Sequence, residues 1–160
     1  MDTAVAYPAP MEVDKLITTF ITKPAQALFT ANVVLEDHGQ GMVYRGRSAV
    51  IPVLRAFFGE GFSDGRMDIQ TTFDSEQTAA IVITFNGRHD GVFFGIPATG
   101  RQVTVPMILL FRTNQDHIQH ISWYYDAGTL LRQLGLAVAP DYRLLVPADK
   151  KELACENHKP

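Results

Sequence analysis

The sequence predicts an α+β domain, with helices first and then a run of antiparallel strands. Three observations predict it. Apolar residues in the first third recur at helical spacing. From Arg66 onward the period becomes two. Between Gly87 and Asp126, two long apolar runs are broken by loops rich in glycine and proline. Helices segregated from an antiparallel meander in this way are the mark of that class. The 160 residues suffice for one domain with a core, and no internal repeat or linker divides them.

Residues 1–10 carry two prolines and no periodicity, and read as a loose arm. Val13, Leu16, Ile17 and Phe20 then share one helical face, with Glu12, Asp14 and Lys15 on the other side. Pro24 suits the first position of a short second helix, Ala25 to Phe29. Ala31 to Asp37 reads as a strand, and Asp37-His38-Gly39 with Gly41 as the turn after it, leading to a short return through Val43 and Tyr44. Ser48 is a good N-cap for a helix whose face is Val50, Val53, Leu54, Phe57 and Phe58, and which Gly59 and Gly61 stop.

Four strands follow: Met67 to Phe73, Ala79 to Arg88, Gln102 to Arg112 and Ile118 to Tyr125. The third is nearly all apolar, which suits a strand covered on both faces. Asn114-Gln115-Asp116 reads as a hairpin turn, and Leu130, Leu131 and Leu134 mark a last helix ended by Gly135. The tail, 137–160, contains Pro140 and Pro147, and Tyr142 to Val146 suits an added strand.

Composition excludes several function classes. A formal net charge of −3 leaves no basic footprint for nucleic acid. The single cysteine, Cys155, permits no disulfide within the chain and fits a reducing compartment. No run approaches the roughly 18 apolar residues of a membrane span, and the N-terminus lacks a signal-peptide pattern. A cytoplasmic location is the expectation. The histidines form no metal-ligand spacing, and Ser48 and Ser122 lack the context of a hydrolase nucleophile.

Several residues are candidates for chemistry. Asp126 closes the last strand; it can act as a base in an apolar cavity, or cap the helix that follows. His89 ends a strand and shares a face with Phe85 and Gly87; it can polarise a carbonyl or fix the next loop through a backbone hydrogen bond. Tyr124 is two residues before Asp126 and so on its face, leaving Trp123 and Tyr125 on the other, where a dimer contact is expected. Asp37 and His38 can be cavity-mouth groups or simply turn residues.

His89-Asp90-Gly91, the run Phe94 to Arg101 (FGIPATGR), Tyr124-Tyr125-Asp126 and Leu131 to Gly135 (LRQLG) together resemble the SnoaL-like polyketide cyclase family of the NTF2-like superfamily. The resemblance covers roughly residues 11–136. It implies an NTF2-like cone: a curved antiparallel sheet wrapped around N-terminal helices, with an apolar cavity inside. It also implies homodimers packed through the sheet and acid–base catalysis without metal or cofactor. Asp126 matches the family's acid–base aspartate, with His89 as its partner. Tyr124, Phe94 and Met107 would shape the pocket, and Asp37 and His38 would reach its mouth. The apolar wall Val105 to Phe111 favours a hydrophobic carbonyl compound, polyketide or terpenoid-like, in a cyclase or isomerase reaction. A non-catalytic ligand-binding dimer, an epoxide hydrolase-like activity and a scaffolding role are the alternatives.

Overall fold

A computed structural model describes residues 11–136, with side chains from residue 15 onward. The arm 1–10 and the tail 137–160, with the strand expected over Tyr142 to Val146, lie outside the described residues. The chain runs α1 (Met11–Thr22), a 3-10 turn (Pro24–Gln26), β1 (Phe29–Asp37), β2 (Met42–Arg45), α2 (Arg47–Arg55) and a π turn (Ala56–Glu60). It continues through β3 (Arg66–Ser75), β4 (Thr78–Arg88), β5 (Gln102–Asn114), β6 (His117–Tyr125) and α3 (Ala127–Gln133).

The strands form one curved, unclosed sheet in the order β2-β1-β6-β5-β4-β3. Four neighbouring pairs are antiparallel, as expected, but β1 lies parallel to β6. The N-terminal hairpin therefore joins the sheet beside the last strand. Register shifts break the ladders at Ile69/Thr71, Arg112/Thr113 and Phe29/Val34. Such irregularities bend and twist a sheet, which accounts for the curvature.

The concave face holds the core. On β5, Val103, Val105, Met107, Leu109 and Phe111 point inward and are buried, while Ile108 and Leu110 point outward and are exposed. The outer face of β5, expected to be covered, is therefore open in the single chain. On β4 and one residue past its end, Phe85, Gly87 and His89 share the inward face as the period-2 rule requires.

Leu16, Ile17 and Phe20 of α1 and Val50, Val53 and Leu54 of α2 fill the concavity. The Phe20 ring meets Phe111 edge-on at 5.0 Å. The 3-10 turn after Pro24 replaces the expected second helix, because β1 already begins at Phe29. Gly46, with φ of 80°, precedes α2 where Ser48 was the expected cap, so Pro52 falls inside the helix. The π turn carries non-helical angles at Phe58 and Gly59 and swings Phe57 into the centre of the cone.

The β6 parity is the reverse of the one the sequence suggests. Trp123 and Tyr125 point inward, opposite Leu109 and Met107, and Tyr124 points outward beside Ile108. The expectation put Tyr124 on the face of Asp126, but β6 ends at Tyr125. Asp126 leaves the strand to start α3 and no longer shares its alternation.

Candidate functional site

The parallel pairing of β1 with β6 sets Asp37 level with Trp123 and within reach of Tyr125. Asp37 is only 1% exposed. Its Oδ1 accepts the Gln40 backbone N–H at 2.9 Å. Its Oδ2 accepts the Gln40 side-chain amide at 3.1 Å and the Tyr125 hydroxyl at 3.3 Å. The same amide also donates to the Tyr125 oxygen at 3.2 Å. Each of these groups donates toward one buried carboxylate, so its burial is compensated. Burial pushes the Tyr125 phenol far up, with the Asp37 charge adding to the shift and the Gln40 hydrogen bond opposing it. Tyr125 thus stays an O–H donor at any physiological pH. The Tyr44 phenol is raised for similar reasons, burial first and Asp37 second. Gly39 lets the Tyr125 ring lie flat over the turn, since a Cβ there would sit 2.4 Å from the ring atoms Cε1 and Cζ.

Tyr125 and Gln40 also line a cavity of about 110 Å³ at the mouth of the cone. Its other walls are Phe93, Phe94 and Ile96 from the loop after β4, and Ala127, Leu130 and Leu131 from α3. The cavity is small because aromatic rings occupy the cone. Phe57 alone packs against Phe85, Phe93, Trp123 and Tyr125 at centroid distances of 5.8, 4.8, 5.1 and 5.8 Å. Each such edge-on pair adds roughly 0.5–1.5 kcal/mol beyond burial, so these rings are not easily displaced. Trp123 Nε1 lies buried among them without a hydrogen-bond partner.

The remaining expected residues fall in different places. Asp126 caps α3: its Oδ1 accepts the Thr129 N–H at 3.2 Å and its Oδ2 the Thr129 hydroxyl at 2.6 Å. With its side chain 66% exposed and Arg132 3.6 Å away, it is not the desolvated carboxylate expected in an apolar cavity. The Thr129 hydrogen bonds hold its carboxyl below the ordinary range, opposite to the direction burial would give. His89 is fully buried behind Phe62 and Phe93 and does not line the cavity. Its Nδ1 accepts the Thr99 N–H at 3.2 Å, which fixes the loop. That leaves the proton on Nε2, which finds no hydrogen-bond partner. Burial pushes its pKa down, and the Asp90 charge and Ile96 carbonyl recover only part of the drop. Met107 is buried between Ile83 and Tyr125 in the core and lines no part of the cavity. Tyr124 and His38 stack face to face on the outer surface, 4.1 Å apart and 5° from parallel, so neither meets the cavity. Phe94 does line it, and Asp37 lies directly behind its Tyr125–Gln40 wall.

The profile of the SnoaL-like polyketide cyclases matches residues 13–134. The chain belongs to that family. Solved structures agree on the NTF2-like fold. A protein from Jannaschia sp. CCS1, named as SnoaL-like polyketide cyclase, superposes with a TM-score of 0.70 at 17% identity, covering 82% of this chain and 98% of its own. A protein with a ketosteroid isomerase-like fold from Catenulispora acidiphila, solved with trimethylamine, gives 0.62 at 21% identity, over 81% and 96%. IdmH from Streptomyces antibioticus, named as a polyketide cyclase, gives 0.57 at 23% identity, over 78% and 96%. No curated protein sequence matches the chain.

Within this SnoaL-like cone, sequence reasoning missed Tyr125 and Gln40. The Tyr125 signal was present but assigned to the wrong face. Gln40 sits in a polar turn with nothing local to mark it, and only the i to i+3 spacing from Asp37 hints at the backbone hydrogen bond. The outer face carries a second polar group. Glu36 Oε2 accepts the Ser122 hydroxyl at 2.9 Å and lies 3.4 Å from Nε2 of both His38 and His120. An open hollow of about 370 Å³ runs beside it between Phe73, Leu110 and Arg112. Among the described residues no cluster has the geometry to hold a metal ion, and no helix is long and apolar enough to cross a membrane.

Proposed function

We propose that this SnoaL-like protein is a cofactor-free acid–base enzyme of the cyclase or isomerase type, acting on a hydrophobic carbonyl compound. The observation that carries the reading is the buried Asp37–Tyr125–Gln40 network against the wall of an apolar cavity. Proton transfer next to a carbonyl needs a base for the C–H and a donor for the oxygen that gains charge. Asp37 supplies the base. Tyr125, kept protonated by burial, supplies the donor. Their oxygens are 3.3 Å apart, close enough to serve adjacent atoms of one substrate. Gln40, on an exposed turn, yields Oδ2 to the ligand by swinging its amide aside. Asp126, which the family resemblance favours for the base, is assigned here to capping α3, and His89 to holding the loop.

The test is exchange of the α-protons of cyclopentanone in D₂O, followed by NMR. Asp37→Asn and Tyr125→Phe are expected to slow exchange by about a hundredfold or more, while Asp126→Asn leaves it nearly unchanged. Loss in Asp126→Asn with full exchange in Asp37→Asn would return the chemistry to Asp126.

The cap geometry of Asp126 also favours a second reading, a non-catalytic ligand-binding domain. Binding of the ketone without any exchange would select it. The exposed Phe73, Ile108, Leu110 and Tyr124 on the outer sheet face support a homodimer through that face, as in the family expectation. Sedimentation of the native chain as a monomer would remove the dimer.

A further inference from the structure

We infer that the cone admits only a compact group with a single carbonyl, no larger than a five-membered ring ketone, and that Phe94 sets this limit. The inference rests on the acid–base reading for its carbonyl and on the cavity for its size. A volume of about 110 Å³ is small, and because the pocket opens to solvent on one side it limits the part of the ligand that enters. An apolar cavity of about 150 Å³ takes benzene, and drug-sized ligands need about 300–1,000 Å³. The Phe93 and Tyr125 walls cannot give way, because Phe57 packs behind both and is itself locked against Phe85 and Trp123. The polar part of the lining is confined to Tyr125 and Gln40, so the ligand has one hydrogen-bonding end and is apolar elsewhere.

Opposite the α3 wall of Ala127, Leu130 and Leu131 stands a hairpin tip that works against its own backbone. Phe93 N–H donates to the Ile96 carbonyl at 3.0 Å, and Ile96 N–H to the Phe93 carbonyl at 2.8 Å. Between them Phe94 has φ of 45° and Gly95 φ of 80°. This is the pattern of a two-residue type I′ turn, whose first central position prefers asparagine. A bulky aromatic with positive φ is an outlier, and strain of this kind concentrates at ligand clamps. The ring that incurs the strain packs on Phe93 at 4.7 Å, faces Phe57 at 6.0 Å and forms part of the cavity wall. A side chain disfavoured by its turn, at the place where it narrows the cavity, is explained by what it excludes.

The test compares cyclopentanone with 1-tetralone, a fused bicyclic ketone, by NMR-detected binding and by α-proton exchange. Native protein is expected to bind cyclopentanone roughly tenfold or more tightly than 1-tetralone. Phe94→Asn, which suits the turn and removes the ring, is expected to shift that ratio toward 1-tetralone by roughly tenfold without lowering Tm. Phe94→Gly should shift it the same way. Equal affinity of native protein for both ketones, no binding of either, or an unchanged ratio in both variants would overturn the size limit. Selective binding of cyclopentanone without exchange leaves the limit standing and removes the acid–base reading instead.

Discussion

Replacing Asp37 by asparagine keeps the shape of the side chain and reverses the polarity of one atom. Oδ1 still accepts the Gln40 backbone N–H. The new Nδ2 now faces the Gln40 amide at 3.1 Å and the Tyr125 hydroxyl at 3.3 Å. The hydroxyl can rotate and accept. The amide must turn over to present its oxygen, which gives up its own hydrogen bond to the hydroxyl, beside a position that is 1% exposed. Exchanging charge-assisted for neutral hydrogen bonds would cost a few kcal/mol, and removing a buried charge offsets part of it, leaving about 2 kcal/mol. Adding Gln40→Glu supplies a charged acceptor for Nδ2 and for the hydroxyl, and should recover about half of the loss, about 1 kcal/mol. Urea denaturation followed by circular dichroism measures each variant. If Asp37→Asn is as stable as the native chain, or the double variant is no better than the single, the network does not hold the fold together as argued.

Two further outcomes follow from the other carboxylate and the buried histidine. Asp126→Ala removes a cap with two hydrogen bonds to Thr129 and should lower stability by about 1 kcal/mol, or Tm by about 2–4 °C at pH 7. Because the folded carboxyl titrates below its ordinary value of 3.8, this contribution is complete above that value and fades as pH falls through the lowered one. Native and variant Tm should converge there. His89 runs the other way in charge but the same way in pH. Its folded pKa is depressed below 6.5, so the unfolded chain takes up the proton first, and stability falls as pH drops below 6.5. His89→Asn, which keeps an acceptor for the Thr99 N–H, should flatten the Tm profile between pH 6.5 and 5, and an unchanged slope would refute the assignment.

Much of the fold could be read from local patterns. The helical stripe of α1 and the alternation of β4 and β5 require nothing beyond spacing, and the FGIPATGR and LRQLG runs pointed to the cone. Partner choice between strands was hidden, because nothing local in Phe29–Asp37 tells β1 to lie parallel to β6. The parity of β6 was lost for a related reason. Side chains alternate with period two only while the strand lasts, so reading Asp126 as its last residue inverted every face. That one step put Tyr124 in the cavity and Tyr125 outside it. Asp37 was legible as an acid at the end of β1, but its burial depends on Tyr125 and Gln40. The cavity's size comes from how the Phe93–Ile96 turn, Tyr125 and α3 close on one another, which no pattern in the sequence encodes.

The parallel pairing also bears on how the chain folds. Asp37 and Tyr125 are 88 positions apart, and they meet only when a strand from early in the chain finds the last one. Contacts this distant incur their loop-closure entropy before they return any stability, and they slow folding. The hairpins β3–β4 and β5–β6 can form from neighbours; the Asp37 network cannot. Burial of Asp37 during refolding should therefore lag recovery of secondary structure, because the network is completed only when both ends of the domain are in place.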